Sequence, residues 1–176
     1  MLPELDGRLC RLRHYRPADA PAICAIADDF MVARWMTRAF PHPYLESDAQ
    51  SWIAHSLTTA RGCNFAIEVA GVVAGGIGME PFDGERSGCA AFGYWLGRRY
   101  WGHGVATDAA RTFCDAALSG GKLRRLEARV FAPNVASSRV LEKCGFRLEG
   151  RLLEFYVDRE NRVCDALSYA RLARDG

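Results

Sequence analysis

No stretch of this 176-residue chain is both long enough and apolar enough to cross a bilayer as a helix, and the longest apolar run, residues 69–77, is broken by glycines. The N-terminus offers no export address either. Residues 1–12 carry Glu4 and Asp6 where a signal peptide has a basic region followed by a long apolar core. These absences make a membrane partner unexpected and a cytoplasmic location the expectation. A dominant charge is missing as well: 23 basic against 21 acidic residues leave a net charge of +2, too balanced for the electrostatic footprint of nucleic-acid binding. The seven cysteines include no Cys-x-x-Cys pair, and His14, His42, His55 and His103 show no ligand spacing with them or with each other. Reduced thiols and no metal are therefore expected. Repeats, low-complexity tracts and Pro-, Gly- or Ser-rich linkers are also lacking, so residues 1–176 read as one domain. With 49% hydrophobic and 25% charged residues, that domain has the composition to bury a proper core.

What is present is a mixture of strand and helix periods. Residues 8–14 alternate apolar and basic side chains, as a first strand does. Pro17 suits the first turn of a helix in which Ala20, Ile23, Ala27 and Phe30 recur at helical spacing. Ser47 with Gln50 reads as a capping box opening a second helix, whose Trp52, Ile53 and Leu57 form an apolar stripe up to Gly62. Residues 65–69 and 72–79 flank Ala70-Gly71 as a hairpin, and Cys89–Leu96 is a further strand. A helix over 105–118, a strand over 126–131 and a helix over 134–144, closed by Gly145 in the left-handed conformation, come next. Strands at 150–157 and 163–172, joined by a turn at 158–162, end the chain. The expected fold is α/β (α+β mixed), with one central sheet of about seven strands, about four helices and a right-handed strand-helix-strand crossover.

One segment carries chemistry. Arg99-x-x-Gly102-x-Gly104 lies between a strand and a helix start, where glycines let the backbone approach a ligand and first-turn N–H groups face an anion. Arg98 and Arg99 add charge suited to a pyrophosphate. A Walker loop is excluded, because Val105 and Ala106 follow Gly104 in place of Lys and Ser/Thr. A dinucleotide fingerprint is excluded too, because Thr107 stands where the third glycine belongs and the loop follows a late strand.

With Tyr94-Trp95-Leu96 before the loop and Asn134-x-x-Ser137-x-x-x-Leu141-Glu142-Lys143-Cys144-Gly145-Phe146 after it, the sequence resembles the GNAT N-acetyltransferases. The wording from Gly93 to Ala109 is similar to the RimJ/RimL branch, which acetylates ribosomal-protein N-termini. Arg8-Leu9-x-Arg11-Leu12-Arg13, Asp19-Ala20, Pro43-Tyr44 and Trp52 agree in order, so the resemblance spans nearly the whole chain. It implies a mostly antiparallel sheet whose one parallel pair splays apart near Leu96 and Phe131 to admit acetyl-CoA. It also implies acetyl-CoA as co-substrate, held by Leu96, Arg98, Arg99, Gly102, His103, Gly104, Val105 and Ala106, with Asn134 and Arg139 from the following helix.

Acyl transfer to an amine needs loss of a proton from the amine, stabilisation of an oxyanion and a proton for the departing thiolate. Ser137 aligns with the family's proton donor, although Asn134 as helix N-cap would equally place Ser137 where a serine helps the cap. The base is open. Many relatives carry a glutamate two positions before the glycine of the strand, and here Ala91 precedes Gly93. Glu154 and Tyr156, two apart and so on one strand face, are the candidates, with Glu80 and His103 behind them. Trp35, Trp52 and Trp95 read first as core residues, with an acceptor-pocket lining as the alternative for Trp35 and Phe40 in the irregular segment 31–45. The acceptor expected is an amine, either a protein N-terminus or a small molecule such as a polyamine or antibiotic. Succinyl-CoA as donor, a CoA-binding module without catalysis, and a homodimer through the last strands stay open.

Overall fold

The computed structural model describes residues 2–58 and 63–175, so the expected end of the second helix at Gly62 lies outside the described residues. Its strands are β1 (Leu5–Asp6), β2 (Arg11–Arg13), β3 (Cys63–Val69), β4 (Val72–Pro81), β5 (Cys89–Leu96), β6 (Arg125–Phe131), β7 (Arg147–Val157) and β8 (Val163–Leu172). The helices are α1 (Ala20–Ala27), α2 (Phe30–Ala33), α3 (Glu46–Thr58), α4 (Val105–Ser119) and α5 (Val135–Lys143). One sheet takes all eight strands in the order β1-β2-β3-β4-β5-β6-β8-β7. Every neighbouring pair is antiparallel except β5 and β6, which α4 joins as a crossover.

The eighth strand and fifth helix go beyond the sequence reading, and both have local causes. The first expected strand is cut to Arg11–Arg13 because the chain turns between Gly7 and Cys10, with Gly7 N–H donating to the Cys10 carbonyl at 2.8 Å. Asp108, in the first turn of α4, accepts the Leu9 N–H at 2.7 Å and fixes that turn. A Cβ on Gly7 would lie 2.5 Å from the same carboxylate oxygen, so a larger residue there would push the Asp108 carboxylate from its place. The first helix stops at Ala27 because Asp28 leaves helical geometry, and Asp29 caps α2 by accepting the Met31 N–H at 2.8 Å. Phe30 therefore opens α2 at the surface and is not a fourth core position of α1. Ser47 is not a cap either: α3 begins at Glu46, and the Asp48 carboxylate accepts the Leu45 N–H at 2.8 Å.

The period-2 pattern of the strands divides the core between the two faces of the sheet. Phe65, Ile67 and Phe92 pack with Phe113 of α4 and Leu141 of α5, and the Phe92 ring stacks on Phe146 at 5.5 Å between centroids. Ala66 and Trp95 face the other way and pack with Tyr15, Ile23 of α1 and Ile53 of α3. Fully burying each large apolar side chain contributes roughly 1.5–3 kcal/mol.

A buried ion pair ties the second layer to the sheet. The Arg13 guanidinium of β2 meets both carboxylate oxygens of Asp19 at 2.8 Å and also binds Glu68 of β3. The Arg16 N–H gives Asp19 a further bond at 2.7 Å. Burial alone would raise the Asp19 pKa, but the bonds from Arg13 and Arg16 outweigh it and hold the carboxyl below its ordinary value. Asp19→Ala leaves Arg13 buried without its main partner and should cost about 3–5 kcal/mol in urea unfolding. Because the folded pKa lies below the unfolded value of about 3.9, the pair's contribution is complete above that pH and is lost as pH falls through the folded pKa. The wild-type urea midpoint should accordingly fall more steeply than that of Asp19→Asn as the pH is lowered from 5 towards 3.

Candidate active site

β5 and β6 are paired only at Cys89 with Arg125, Ala90 with Leu126 and Ala91 with Glu127. β5 then runs on to Leu96 bonded to β4, and β6 runs on to Phe131 bonded to β8. Each strand follows its outer neighbour, so a wedge-shaped gap opens between residues 92–96 and 128–131. The expected splay is thus present where the sequence places it. Both strands point toward the mouth of the wedge, so the segments that follow them, and the starts of α4 and α5, lie at its wide end.

The loop after β5 is braced by its own backbone and by a tryptophan. Gly97 N–H donates to the Ala74 carbonyl of β4 at 2.8 Å, residues 98–100 make a 3₁₀ turn, and the Trp101 indole N–H donates to the Leu96 carbonyl at 2.7 Å. Gly102 and Gly104 take φ of 77° and 82°, in the left-handed region that side chains with a Cβ disfavour. Gly104 is the N-cap of α4 and has no side chain to occupy the first-turn N–H groups of a fifteen-residue helix. Those donors, with the positive end of the helix dipole behind them, are free for an anion. Arg98 and Arg99 are exposed and form no ion pair among the described residues, although the Arg99 guanidinium lies 4.8 Å from the Tyr100 ring centroid. His103 is exposed between the glycines; Val105 is buried and Ala106 partly so. Leu96 is buried in the core, and Arg139 projects from α5 into solvent.

At the start of α5, Asn134 is the N-cap and accepts the Ser137 N–H at 3.3 Å through Oδ1, leaving its amide N–H groups available. The Ser137 hydroxyl lies 3.0 Å from the Tyr94 hydroxyl of β5, across the wedge. Burial pushes the Tyr94 pKa up to about 12, with the Ser137 bond pulling weakly the other way. Ser137 thus serves the cap through its N–H, while its hydroxyl meets that of Tyr94. Tyr94 has no role in the sequence reading. Strand alternation puts it on the same face as Phe92, but its meeting with a residue 43 positions away depends on the splay.

The candidate bases fall differently. The register of β7 against β8 breaks between Leu152 and Tyr156, and Glu154 sits in that bulge with φ of 50°, exposed, its N–H donating to Asp165 at 2.8 Å. The shared face expected for Glu154 and Tyr156 therefore does not follow from their spacing. Tyr156 stacks on Phe131 at the tip of β6, 4.3 Å between centroids, and burial raises its pKa. Glu80 is exposed on β4 opposite Ala91. The Asp165 carboxyl is held low by the Glu154 N–H and by Arg151.

Trp35 also packs on Phe131, tilted at 5.8 Å between centroids, so Trp35, Phe131 and Tyr156 make an aromatic row at the end of β6. Beside it Arg34, Trp35, Pro133, Asp158, Arg162, Val163 and Cys164 line an open concavity of about 420 Å³. Phe40, expected beside Trp35, packs instead on Tyr44 and Trp95 in the second core layer.

Comparison with known proteins agrees with this geometry. The GNAT acetyltransferase domain family matches residues 9–147. An uncharacterised N-acetyltransferase, p20, of Bacillus licheniformis is 30% identical over 167 residues, covering 93% of each chain. Mycobacterium smegmatis RimJ, solved in complex with CoA-disulfide, superposes with a TM-score of 0.82 at 27% identity, covering 98% of this chain and 86% of that one. RimL, a ribosomal L7/L12 alpha-N-protein acetyltransferase solved with coenzyme A, shares the fold with a TM-score of 0.84 at 16% identity, covering 96% and 97%.

The left-handed cap of α4 can be checked without any ligand. Gly104→Ala should lower stability in urea by about 1–2 kcal/mol from its conformation alone. Gly93→Ala, in β5 with open space at the Cβ position, should stay within about 0.5 kcal/mol of wild type.

Proposed function

The chain belongs to the GNAT acetyltransferase family and is an acyl-CoA-dependent N-acetyltransferase, and from that premise we propose that it acetylates a primary amine of the protein N-terminal type. The observation that carries the reading is the wedge between β5 and β6, with the uncapped start of α4 on one side and the Ser137–Tyr94 hydroxyl pair reaching across it. Acetyl-CoA supplies an acetyl group activated as a thioester. The residues present fit its pyrophosphate: Gly102 and Gly104 bend the chain into an uncapped helix start, where the N–H groups of His103, Gly104, Val105 and Ala106 would hold it, and Arg98 and Arg99 bring positive charge. The Asn134 amide, with its N–H groups uncommitted, suits an amide-bearing pantetheine arm, and Leu96 and Arg139 flank the same end of the sheet.

Ser137 acts as proton donor to the departing sulfur. A thiolate's conjugate acid has a pKa of about 8.5, so a hydroxyl donor helps this step without being indispensable. Tyr94, protonated up to about pH 12, holds the Ser137 oxygen in place and stays a donor itself throughout the working range. No buried base is assigned. Asp165 is kept ionised and weakly basic, the raised pKa of Tyr156 retains its proton near neutrality, and Glu154 is exposed in the bulge of β7. The amine therefore sheds its proton to water and attacks in its neutral form. An N-terminal α-amine suits such a site, because its pKa of about 7.7–8.0 leaves an appreciable neutral fraction at pH 7, whereas a lysine-type amine near 10.4 leaves very little. The shared fold with RimL, an alpha-N-protein acetyltransferase, and the RimJ/RimL-like wording of the loop point the same way.

Thiol release from acetyl-CoA should accompany addition of peptides with free Ala or Ser N-termini; turnover with polyamines or aminoglycosides alone would overturn the acceptor assignment. Ser137→Ala should lower kcat by about 10²-fold with the acetyl-CoA KM unchanged, and Tyr94→Phe should lower the same parameter less. The logarithm of kcat/KM for the peptide should rise with unit slope and level off near pH 8, at the pKa of the acceptor itself. A plateau that stays put when acceptors of different pKa are compared would mean an enzyme base instead.

A further inference from the structure

The turn between β7 and β8 reaches far across the molecule. Arg159 in that turn donates through Nε to the Ala33 carbonyl at 2.7 Å and through Nη2 to the carbonyls of Thr37, at 3.1 Å, and Phe40. Ala33 ends α2 and Thr37 and Phe40 lie in the irregular segment before α3; the Ala33 carbonyl also accepts the Met36 N–H at 3.0 Å and the Thr37 carbonyl the Phe40 N–H at 3.0 Å, so Arg159 joins two turns of that segment. Two arginines of that segment reach back. Arg38 donates to the Asp158 carbonyl and to Asn161 Oδ1, both at 3.3 Å, and Arg34 pairs with Glu160 at 2.8 Å. The turn itself is rigid, since the buried Asp158 carboxylate accepts the N–H groups of Glu160 and Arg162, each at 2.9 Å, and the Arg162 Nε at 2.8 Å.

Between these two cross-linked pieces stands Trp35, which forms the wall of the concavity together with Asp158 and Arg162 and continues the aromatic row of Phe131 and Tyr156. Arg159 forms no ion pair among the described residues; its charge is spent on carbonyl oxygens, and burial together with Arg38 pushes its pKa down. A fork that gathers three carbonyls shapes a segment that has no helix or strand of its own to shape it.

Resting on the acyl-transfer reading above, we propose that Arg159 is a positioning residue for the acceptor: its fork holds residues 33–40 so that Trp35 closes the acceptor side of the wedge, and thereby sets which amines are accepted. Lysine retains the charge and one donating head but cannot serve three carbonyls in fixed geometry. Arg159→Lys should raise the KM for an Ala-terminated peptide about tenfold, the size of one lost charge-assisted hydrogen bond, with the acetyl-CoA KM unchanged. In a Trp35→Ala background the same substitution should add little, because the side chain it positions is gone. Hydrogen exchange of amides 33–40 should quicken in Arg159→Lys while that of the loop before α4 stays the same.

Equal changes in both KM values, or additive effects with Trp35→Ala, would overturn the proposal and leave Arg159 a general stabiliser. Unchanged exchange over 33–40 would overturn the clasp whatever the activity. A wild-type enzyme inactive on every amine tested would sink the proposed function, and with it the specificity role. Faster exchange in the variant would then still establish the clasp as a structural device.

Discussion

Two parallel strands that begin hydrogen-bonded and then part leave backbone N–H and C=O groups facing each other with no strand between them, and such groups need partners. In this protein the parting comes after Ala91 and Glu127, and the rest of the site follows from it. Because β5 and β6 are each held along their outer edge to the end, the gap keeps its width without strain on either strand. The same parallel direction delivers two helix starts to one mouth. One is left uncapped by glycine and the other is capped by an asparagine that keeps its amide free. Two differently capped helix starts are thereby brought to one gap by the sheet itself.

The chemistry then divides by burial. Tyr94 is deep enough that its proton is secure, and it holds a serine whose own hydroxyl is near enough to the wedge to give one up. In the function proposed, the acid side of the reaction is thus built into the core. On the basic side there is no buried carboxylate of raised pKa to assign, since alanine stands at position 91 and the Asp165 carboxyl is held low. In the function proposed, such a site depends on the acceptor's own pKa, and the selectivity that a base would otherwise supply falls to the shape of the proposed acceptor wall.

That wall is assembled from segments distant in sequence. The 33–40 segment has little regular structure, and the β7–β8 turn carries the arginine that arranges it. Asp158 fixes the turn, Arg159 fixes the segment, and Trp35 is fixed between them. Asp19 plays a comparable part beneath, tying the start of α1 to the sheet through Arg13.

Much of this was legible in the sequence because it is local. Glycines 102 and 104 ahead of a helical period, Asn134 three residues before Ser137, and alternation along residues 89–96 and 126–131 all act through neighbours in the chain, and they led to the fold, the splay and a helix start left uncapped by glycine. The extent of the first strand, the break at Asp28 and the true start of α3 were missed. Each is decided by a carboxylate, Asp108, Asp29 or Asp48, taking a backbone N–H that periodicity does not register. The partner of Ser137, the bulge that moves Glu154 out of step with Tyr156, and the grip of Arg159 on three carbonyls more than a hundred residues away were decided only by tertiary structure. Spacing in sequence specifies direction within one helix or strand. Which groups then meet depends on where the sheet sets those elements down, and hydrogen bonds of that range leave no period to read.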